Sequence, residues 1–344
     1  MNAYVYAFFA SLVLSLLLTP VARNAAKKYR ILDHPDEARK IHKKPVPLLG
    51  GLAIYSAFVI SAVFFCEITP AAAAIIAGTT LLFILGVADD IKGLPAGIRL
   101  AVQMLAVVIL LLNGISLHIW NDPGAFARAI EIALTFVWVM GITNALNFFD
   151  GMDGLAAGMS VLTGLCLLAF AASVGQYTLA LMSAALAGSA LGFLKYNFKP
   201  AKIYMGDAGS TTLGFALASL GLVANKSPHF SHQVGFIFII VTFCILIYDM
   251  IYITIGRIAS GDVKNFKQWL EYTGKDHLHH RLVTLGMSEK RAVLFIYFMV
   301  LCAGTGAFLI QRIYTFEAVL VLIQCVIAFV LLTILMLAAR RETP

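Results

Sequence analysis

The sequence predicts an all-α fold, a polytopic bundle of about eleven transmembrane helices. Of the 344 residues, 60% are hydrophobic and only 12% are charged, whereas soluble domains carry roughly a quarter charged residues. Apolar runs of about twenty residues, the length that crosses the hydrocarbon core as a helix, recur from one end of the chain to the other. We expect one transmembrane domain over residues 1–344, without a separate soluble domain.

The eleven predicted spans follow these apolar runs in chain order. They are 3–22, 48–67, 70–88, 98–117, 128–146, 154–173, 177–194, 209–225, 233–256, 291–310 and 315–338. The first run, Ala3 to Val21, lacks the basic segment that precedes the apolar part of a secretory signal. Basic residues beginning at Arg23 follow it instead, which favours a retained helix with its N-terminus outside.

The lysines and arginines divide unequally between the two sides of this bundle. One side receives the connections 23–47, 89–97, 147–153, 195–208 and 257–290 and the C-terminal tail. When residues at span ends, such as Arg99 and Arg291, are counted with the nearest loop, this side carries 22 of the 25 basic residues. Because cytoplasmic loops concentrate Lys and Arg, that side is predicted to be cytoplasmic, with the N-terminus outside and the C-terminus inside.

Two other classes of function are disfavoured by composition. The net charge of +7 lies in short loops without interleaved aromatic residues, so membrane topology explains it better than a nucleic-acid partner does. The five cysteines are scattered singly through apolar runs without C-x-x-C spacing. They are predicted to be packing residues rather than a metal or redox site.

Two adjacent carboxylates, Asp89 and Asp90, directly follow the apolar run LLFILGVA. They are predicted to lie where a helix meets the cytoplasm. Because adjacent like charges repel each other, a divalent metal ion or a shared proton is indicated. A solvated helix end is the alternative for this pair taken alone.

The segment NALNFFDGMDGLAAG places Asn144, Asn147, Asp150 and Asp153 at the end of another span. Asp150 and Asp153 are three residues apart and would share one face of a helix. The glycines beside them let a backbone or a phosphate approach closely, and the asparagines suit a nucleotide or an acetamido sugar. Structural capping of a helix is the alternative.

In the segment KIYMGDAGST, Asp207 lies between glycines, and Ser210 and Thr211 open the next span. The N-terminus of a helix presents unpaired N–H groups that attract anions, so a phosphate is expected near this turn. Asp207 serving only as the N-cap of the helix is the alternative.

The segment GKDHLHHRL supplies His277, His279 and His280 beside Arg281 in a predicted cytoplasmic loop. Such a cluster binds an anion or a metal ion, and zinc is open because His and Asp are among its ligands. The carboxylates elsewhere favour Mg²⁺ or Mn²⁺ instead, which leaves these histidines for diphosphate contacts or acid–base chemistry.

All of these clusters fall on the predicted cytoplasmic side, and the outer loops carry almost no comparable chemistry. A further acid, Asp249, interrupts an apolar span and is expected to face the bundle interior or its cytoplasmic mouth, as a functional residue or as the partner of a basic side chain. A cation-coupled transporter would instead place its acids near the midplane on broken helices. The pattern therefore favours an enzyme over a transporter.

Five blocks, taken in order, resemble the polyprenyl-phosphate N-acetylhexosamine-1-phosphate transferases. They are RKIHKKPVPLLGG (39–51), ADDIKGL (88–94), NALNFFDGMDGLAAG (144–158), MGDAGST (205–211) and DHLHHRL (276–282). The HLHH spacing and the eleven spans look more like the branch that transfers N-acetylglucosamine-1-phosphate from a UDP-sugar to undecaprenyl phosphate, which initiates surface-polysaccharide or teichoic-acid synthesis. The branch that transfers phospho-N-acetylmuramoyl-pentapeptide, with consecutive histidines and ten spans, is the alternative.

This resemblance implies a UDP-N-acetylhexosamine donor, release of UMP, and an acceptor, undecaprenyl phosphate, held in the lipid bilayer. It also implies dependence on Mg²⁺ or Mn²⁺, a homodimer, and a place in the plasma (inner) membrane with the active site facing the cytoplasm. The acceptor phosphate attacks either directly or after an aspartate of the enzyme has been phosphorylated, and the sequence leaves both routes open.

The resemblance further implies roles for individual residues. Asp89 and Asp90 would activate the lipid phosphate, and Asp207 with Asp150 would hold the metal ion. The remaining residues would bind the donor: Asn144, Asn147, Asp150, Asp153, His277, His279, His280 and Arg281. Lys44, in the first block, would contribute to anion binding or act only as a solvated cytoplasmic charge.

Overall fold

The computed structural model describes residues 3–33, 45–121, 123–228, 231–265, 268, 274, 276–310 and 315–342, and this part of the chain is predominantly helical. It contains thirteen helices and one two-stranded antiparallel sheet. The helices are α1 (Ala3–Lys28), α2 (Gly50–Phe65), α3 (Pro70–Lys92), α4 (Ala96–Leu112), α5 (Ala125–Phe149), α6 (Leu155–Ser173), α7 (Tyr177–Asn197), α8 (Gly206–Asn225), α9 (His232–Thr242), α10 (Cys244–Ser260), α11 (Leu278–Thr284), α12 (Glu289–Ile310) and α13 (Thr315–Glu342). The strands are β1 (Leu32–Asp33) and β2 (Val46–Pro47). The all-α prediction is confirmed.

Every predicted span coincides with a helix or with a pair of helices. Eight helices of the described chain are long and apolar enough to cross a membrane: α1, α3, α5, α6, α7, α8, α12 and α13. Helices α2 and α4 are apolar but shorter, and α9 with α10 qualifies as a bent pair. The polytopic membrane bundle is therefore confirmed, whereas the count of eleven crossings and their orientation stay predictions.

The span predicted over 233–256 is not one straight helix. Helices α9 and α10 meet at Phe243, and their axes differ by 72°. The Phe243 ring is buried, lies edge-on to Trp138 at 5.2 Å and packs beside Gly221. Because neither proline nor glycine marks this position, we attribute the break to packing of the aromatic ring rather than to a local helix breaker.

The core of the bundle is formed by α7 and α8, which are buried along most of their length. Small residues let other helices approach them closely. A Cβ at Gly188 of α7 would lie 2.3 Å from the Phe8 carbonyl oxygen of α1, and one at Gly192 would lie 2.6 Å from that of Leu12. Such close approach drives helix association in lipid, where burying apolar surface gives little gain.

Glycines also bring the start of α8 against the end of α3. A Cβ at Gly86 of α3 would lie 2.4 Å from the Ala208 nitrogen, so no larger residue fits there without movement. Gly206 has a φ of +70°, a conformation that favours glycine. This contact places Asp90, in the last turn of α3, beside Asp207, in the first turn of α8.

Candidate active site

A cavity of about 740 Å³ lies where α3 ends and α8 begins. Its wall contains six carboxylates, those of Asp33, Asp90, Asp150, Asp153, Asp207 and Glu289. Among the described wall residues, the side chains that can carry positive charge are Lys199 and His280, and Lys199 is ion-paired with Glu289. The cavity is therefore anionic and attracts cations.

Asp90 is the member of the acidic pair that faces the cavity. Its two carboxylate oxygens accept the backbone N–H groups of Asp207, at 2.8 Å, and Ala208, at 3.1 Å. Asp90, which belongs to α3, thus accepts hydrogen bonds from N–H groups in the first turn of α8. The N–H groups on which the predicted phosphate site depends are already bonded within the protein.

Asp89 has a different set of backbone and side-chain partners. Its Oδ1 accepts the Leu94 N–H at 2.5 Å, and its Oδ2 accepts a hydrogen bond from Arg99 at 3.2 Å. The side chain is 6% exposed and does not contribute to the cavity wall. The two aspartates, which are equivalent in the sequence pattern, therefore have different surroundings.

Asn147 and Asp207 form a second link between the predicted motifs. The Asn147 amide donates to Asp207 Oδ1 at 2.6 Å and to Ser210 Oγ at 2.8 Å, which joins the end of α5 to the first turn of α8. Both Asn147 and Asp207 line the cavity. The amide fixes the orientation of the Asp207 carboxylate.

Asp150 is a half-buried wall carboxylate just after α5, and it accepts no hydrogen bond from the described residues. Burial first, and then the carboxylates of Asp207, Asp90 and Asp153, raise its pKa well above the ordinary value of 3.8. A cation would relieve this repulsion, so Asp150 is the wall group that lacks compensation most clearly.

Asp153 is better satisfied. One of its carboxylate oxygens accepts the Ala201 N–H at 2.9 Å. Burial, followed by the charge of Asp153, raises the pKa of the neighbouring Tyr204 hydroxyl, which therefore stays neutral and able to donate. Asp153 and Tyr204 therefore form a hydrogen-bonding part of the wall.

The donor chemistry of this wall suits Mg²⁺ or Mn²⁺, because both prefer carboxylate oxygens. Within the described chain, however, no group of three or more His, Cys, Asp or Glu side chains is arranged to hold a metal ion. That arrangement is compatible with Mg²⁺, which usually keeps several waters and binds through one or two carboxylates together with substrate phosphates. It gives no support to a zinc site formed by the three histidines.

The structure separates the three histidines of the HLHH motif. His280 lines the cavity, whereas His277 and His279 are buried. Both ring nitrogens of His279 lack a hydrogen-bond partner in the described chain, and burial, followed by the charges of His280 and His277, lowers its pKa well below 6.5. His280 is therefore the motif histidine placed to contact a ligand, while His279 is neutral and packed.

Arg281 and Asn144 also lie away from the cavity wall. Arg281 donates to the Asp276 carbonyl oxygen at 2.7 Å and to the Tyr252 hydroxyl at 3.1 Å. Asn144 exchanges two hydrogen bonds with Gln103, at 3.2 and 2.9 Å, and so links α5 to α4. Both contacts are structural, and donor binding by these two residues stays a prediction without support from the geometry. Lys44 lies outside the described residues.

Four wall residues with polar or charged side chains were not identified from the sequence: Asp33, Lys199, Tyr204 and Glu289. Asp33 reaches the site because β1 pairs with β2, where Asp33 lies opposite Val46. Tyr204 reaches it because its carbonyl oxygen accepts the Gly50 N–H at 2.9 Å. These are contacts between segments far apart in the chain, and no local pattern signals them.

Comparison with known proteins agrees with these motifs. Residues 72–225 match the sequence profile of glycosyl transferase family 4. The chain is 35% identical to the probable undecaprenyl-phosphate N-acetylglucosaminyl 1-phosphate transferase of Bacillus subtilis (strain 168), over 85% of this chain and 81% of that protein. It is 32% identical to the decaprenyl-phosphate N-acetylglucosaminephosphotransferase of Mycobacterium tuberculosis (strain H37Rv), over 86% and 79%.

A more distant similarity reaches the other branch considered from the sequence. The chain is 29% identical to the phospho-N-acetylmuramoyl-pentapeptide-transferase of Caldicellulosiruptor bescii, over 84% of this chain and 92% of that protein. The profile match includes the cavity residues Asp90, Asn147, Asp150, Asp153 and Asp207. The resemblance drawn from the motifs is confirmed, and this multi-pass membrane protein belongs to glycosyl transferase family 4.

Proposed function

We propose that this enzyme transfers N-acetylglucosamine-1-phosphate from UDP-N-acetylglucosamine to undecaprenyl phosphate. An oxygen of the acceptor phosphate attacks the β-phosphorus of the donor, the bond from that phosphorus to the bridging oxygen breaks, and UMP leaves. The observation that carries this proposal is the acidic cavity at one end of an apolar helical bundle, in a chain whose more similar relatives are named for N-acetylglucosamine phosphate transfer.

Charge neutralisation is the main chemical requirement of this reaction, because the donor diphosphate, the acceptor phosphate and the cavity wall are all anionic. We propose that Asp207 and Asp150 hold Mg²⁺, with Mn²⁺ as a substitute, and that the ion supplies this neutralisation when bound. Support comes from the Asp207 orientation set by Asn147 and from the lack of any other partner for Asp150 among the described residues.

The chain's own residues supply binding and proton transfer. His280 and the neutral Tyr204 hydroxyl can donate hydrogen bonds to the donor within the cavity. Asp90, which faces the cavity, is the member of the acidic pair placed to accept a proton from the acceptor phosphate or to be phosphorylated. Asp89 supports the end of α3 through Leu94 and Arg99, so its catalytic role stays a prediction.

The acceptor chain must remain in lipid while its phosphate reaches the cavity. A second, apolar cavity of about 290 Å³ lies between α5 and the bent pair α9–α10. Ala145 lines this apolar cavity and Asn147 lines the acidic one, so the two lie within one turn of each other on α5. We propose that the apolar cavity takes part of the polyprenyl chain, and that the acidic cavity opens to the cytoplasm at the inner membrane, with a homodimer as the expected assembly.

A donor panel tests the proposal. The purified protein, undecaprenyl phosphate and Mg²⁺ are combined with UDP-N-acetylglucosamine, UDP-N-acetylgalactosamine or UDP-N-acetylmuramoyl-pentapeptide, and UMP and the lipid product are measured. We expect turnover with UDP-N-acetylglucosamine. Turnover only with the pentapeptide donor would assign the chain to the alternative branch, and no UMP with any donor from folded protein would defeat the proposal.

A further inference from the structure

Helix α10 carries a fully buried acid, Asp249, in an otherwise apolar segment. An ionised carboxylate in such a segment costs on the order of 3 kcal/mol on insertion scales unless it is compensated. The cavity contains neither Asp249 nor its neighbours on α10, so the acidic wall does not explain it. Its partners therefore indicate what the acid does.

Both oxygens of Asp249 are bonded to the histidine motif. One lies 2.6 Å from His277 Nδ1, and the other accepts the Leu278 N–H at 2.6 Å. An ionised carboxylate can only accept hydrogen bonds, so Nδ1 of His277 carries the proton in this pair. The contact fixes both the tautomer and the ring orientation of His277, as carboxylates do for catalytic and metal-bound histidines.

Two further contacts hold the same segment to α10. Arg257 makes paired hydrogen bonds to the Asp276 carboxylate at 2.7 and 2.8 Å. The Arg281 guanidinium lies 4.6 Å from the centre of the Tyr252 ring. Asp249 binds His277 and Leu278, which lie in the chain between the two residues of these contacts, Asp276 and Arg281.

The His277 ring is connected to the cavity through contacts with the rings of His279 and His280. The His277 and His279 rings are 5.8 Å apart and nearly parallel, and those of His279 and His280 are 4.2 Å apart. His280 lies in the cavity wall. Because the three residues lie within four positions of the short segment that begins α11, displacement of His277 would displace His280 as well.

We propose that Asp249 is a positioning residue for the transfer reaction, which acts through His277 to hold His280 at the cavity wall. The inference rests on the proposed function. Asp249 lies outside the cavity wall and contacts neither substrate, so it affects the rate of transfer only through the motif histidines. The sequence left open whether this acid is functional or the partner of a basic side chain, and the geometry points to both at once.

Three variants test the route: Asp249→Asn, His277→Gln and the double variant. We expect Asp249→Asn to lower kcat about 10- to 100-fold, as loss of a partner that orients a site histidine typically does. The double variant should be about as slow as the slower single variant, because both changes break one unit. Multiplicative losses, or an Asp249→Asn kcat within about twofold of wild type, would overturn the proposal.

The matched control is Thr333→Val. It removes a 2.7 Å hydrogen bond between Thr333 of α13 and Tyr248, the neighbour of Asp249 on α10. It should leave kcat unchanged, because within the described chain the Tyr248 hydroxyl is bonded to Thr333 and not to the histidine motif. If Thr333→Val lowers kcat as much as Asp249→Asn does, general loosening of α10 explains the result and positioning is refuted.

A measurement on the wild-type enzyme covers the case in which Asp249→Asn does not fold. Nitrogen-15 NMR of histidine-labelled protein in nanodiscs, assigned with His277→Gln, should show His277 with its proton on Nδ1. A proton on Nε2 alone would overturn the proposal. Lack of turnover by wild-type protein with every UDP-sugar would instead defeat the proposed function, whereas normal turnover by Asp249→Asn would defeat only this inference.

Discussion

The two ends of α5 carry carboxylates in opposite states of compensation. Near its start, Glu131 is fully buried, and its oxygens accept N–H groups of Ile119, at 2.7 Å, and Trp120, at 3.2 Å, and a guanidinium hydrogen bond from Arg128 at 2.9 Å. Just after its end, Asp150 faces other carboxylates and accepts no hydrogen bond from the described residues.

This difference separates structural charge from functional charge. A buried carboxylate whose oxygens both accept hydrogen bonds pairs N–H groups that would otherwise be unsatisfied, and so it stabilises the fold. Removing its charge leaves these partners unpaired. A carboxylate beside like charges opposes folding and is expected where a ligand compensates it. Glu131 is of the first kind and Asp150 of the second, so substitutions at the two ends should have opposite consequences.

The largest expected effect is on Asp207. Asp207→Asn removes a charge from the cavity while retaining an oxygen that can accept from Asn147, so the fold should persist. We expect the rate of UMP release to fall about 10²- to 10³-fold, the usual loss for one electrostatic group of an active site. Glu289→Gln is the control, because it removes a carboxylate of the same wall that is paired with Lys199. Equal losses in both variants would show that wall charge in general, and not Asp207, matters.

Asp150→Asn should lower turnover by about tenfold or more and yet stabilise the metal-free protein. The folded-state pKa of Asp150 is raised above 3.8, so the folded state binds its proton more tightly than the unfolded state does. Its stabilising contribution is therefore present at low pH and lost as the pH rises above 3.8 toward the folded-state value.

Thermal unfolding in the presence of a chelator measures this effect. The midpoint of Asp150→Asn should exceed that of wild type by a margin that grows with pH, and added Mg²⁺ should reduce the margin by stabilising wild type more. A variant that is less stable than wild type at neutral pH without metal would contradict the assignment of Asp150 as an uncompensated charge.

Glu131→Gln should do the reverse. Loss of the charge opposite Arg128 is expected to lower the free energy of unfolding by about 1.5 kcal/mol, because a hydrogen bond to a charged group is lost, while Arg128, whose side chain is 38% exposed, can still reach water. Turnover per folded molecule should stay close to that of wild type, because the site lies at the other end of α5. A large loss of turnover in protein that remains folded would remove the distinction between the two ends.

The smallest expected effect is at Asn144. Because its amide is bonded to Gln103 and lies away from the cavity wall, Asn144→Ala should cost about 1 kcal/mol of stability. The KM for UDP-N-acetylglucosamine should be unchanged. A rise in that KM in a stable variant would restore the donor-binding role that the motif resemblance implies for Asn144.

The sequence allowed prediction of the helical bundle and of the motifs that meet at the cavity, because both depend on local patterns. Apolar runs of sufficient length predict membrane-spanning helices. Polar side chains avoid the lipid-exposed middle of such helices, so the sequence itself shows that the motif residues lie at helix ends: Asp90, Asn147, Asp150 and Asp207. The structure brings these residues to the wall of one cavity, and their roles stay predictions.

Features that depend on packing between distant segments were not predictable. The break at Phe243 has no local signal, since the ring that causes it packs against Trp138 of another helix. The burial of His279 and the cavity position of His280 follow from where α10 holds the motif, although the two residues are adjacent and identical in the sequence. Asp89 and Asp90 diverge for the same reason.

Binding of UDP-N-acetylglucosamine to wild type and to Asp207→Asn, each with and without Mg²⁺, tests the central claim most directly. The claim is that an uncompensated acidic cavity accepts an anionic donor only together with a cation. Calorimetry or thermal-shift titration in nanodiscs should show donor binding to wild type that requires Mg²⁺ and is lost or strongly weakened in Asp207→Asn. Equal affinity in all four conditions would contradict the account.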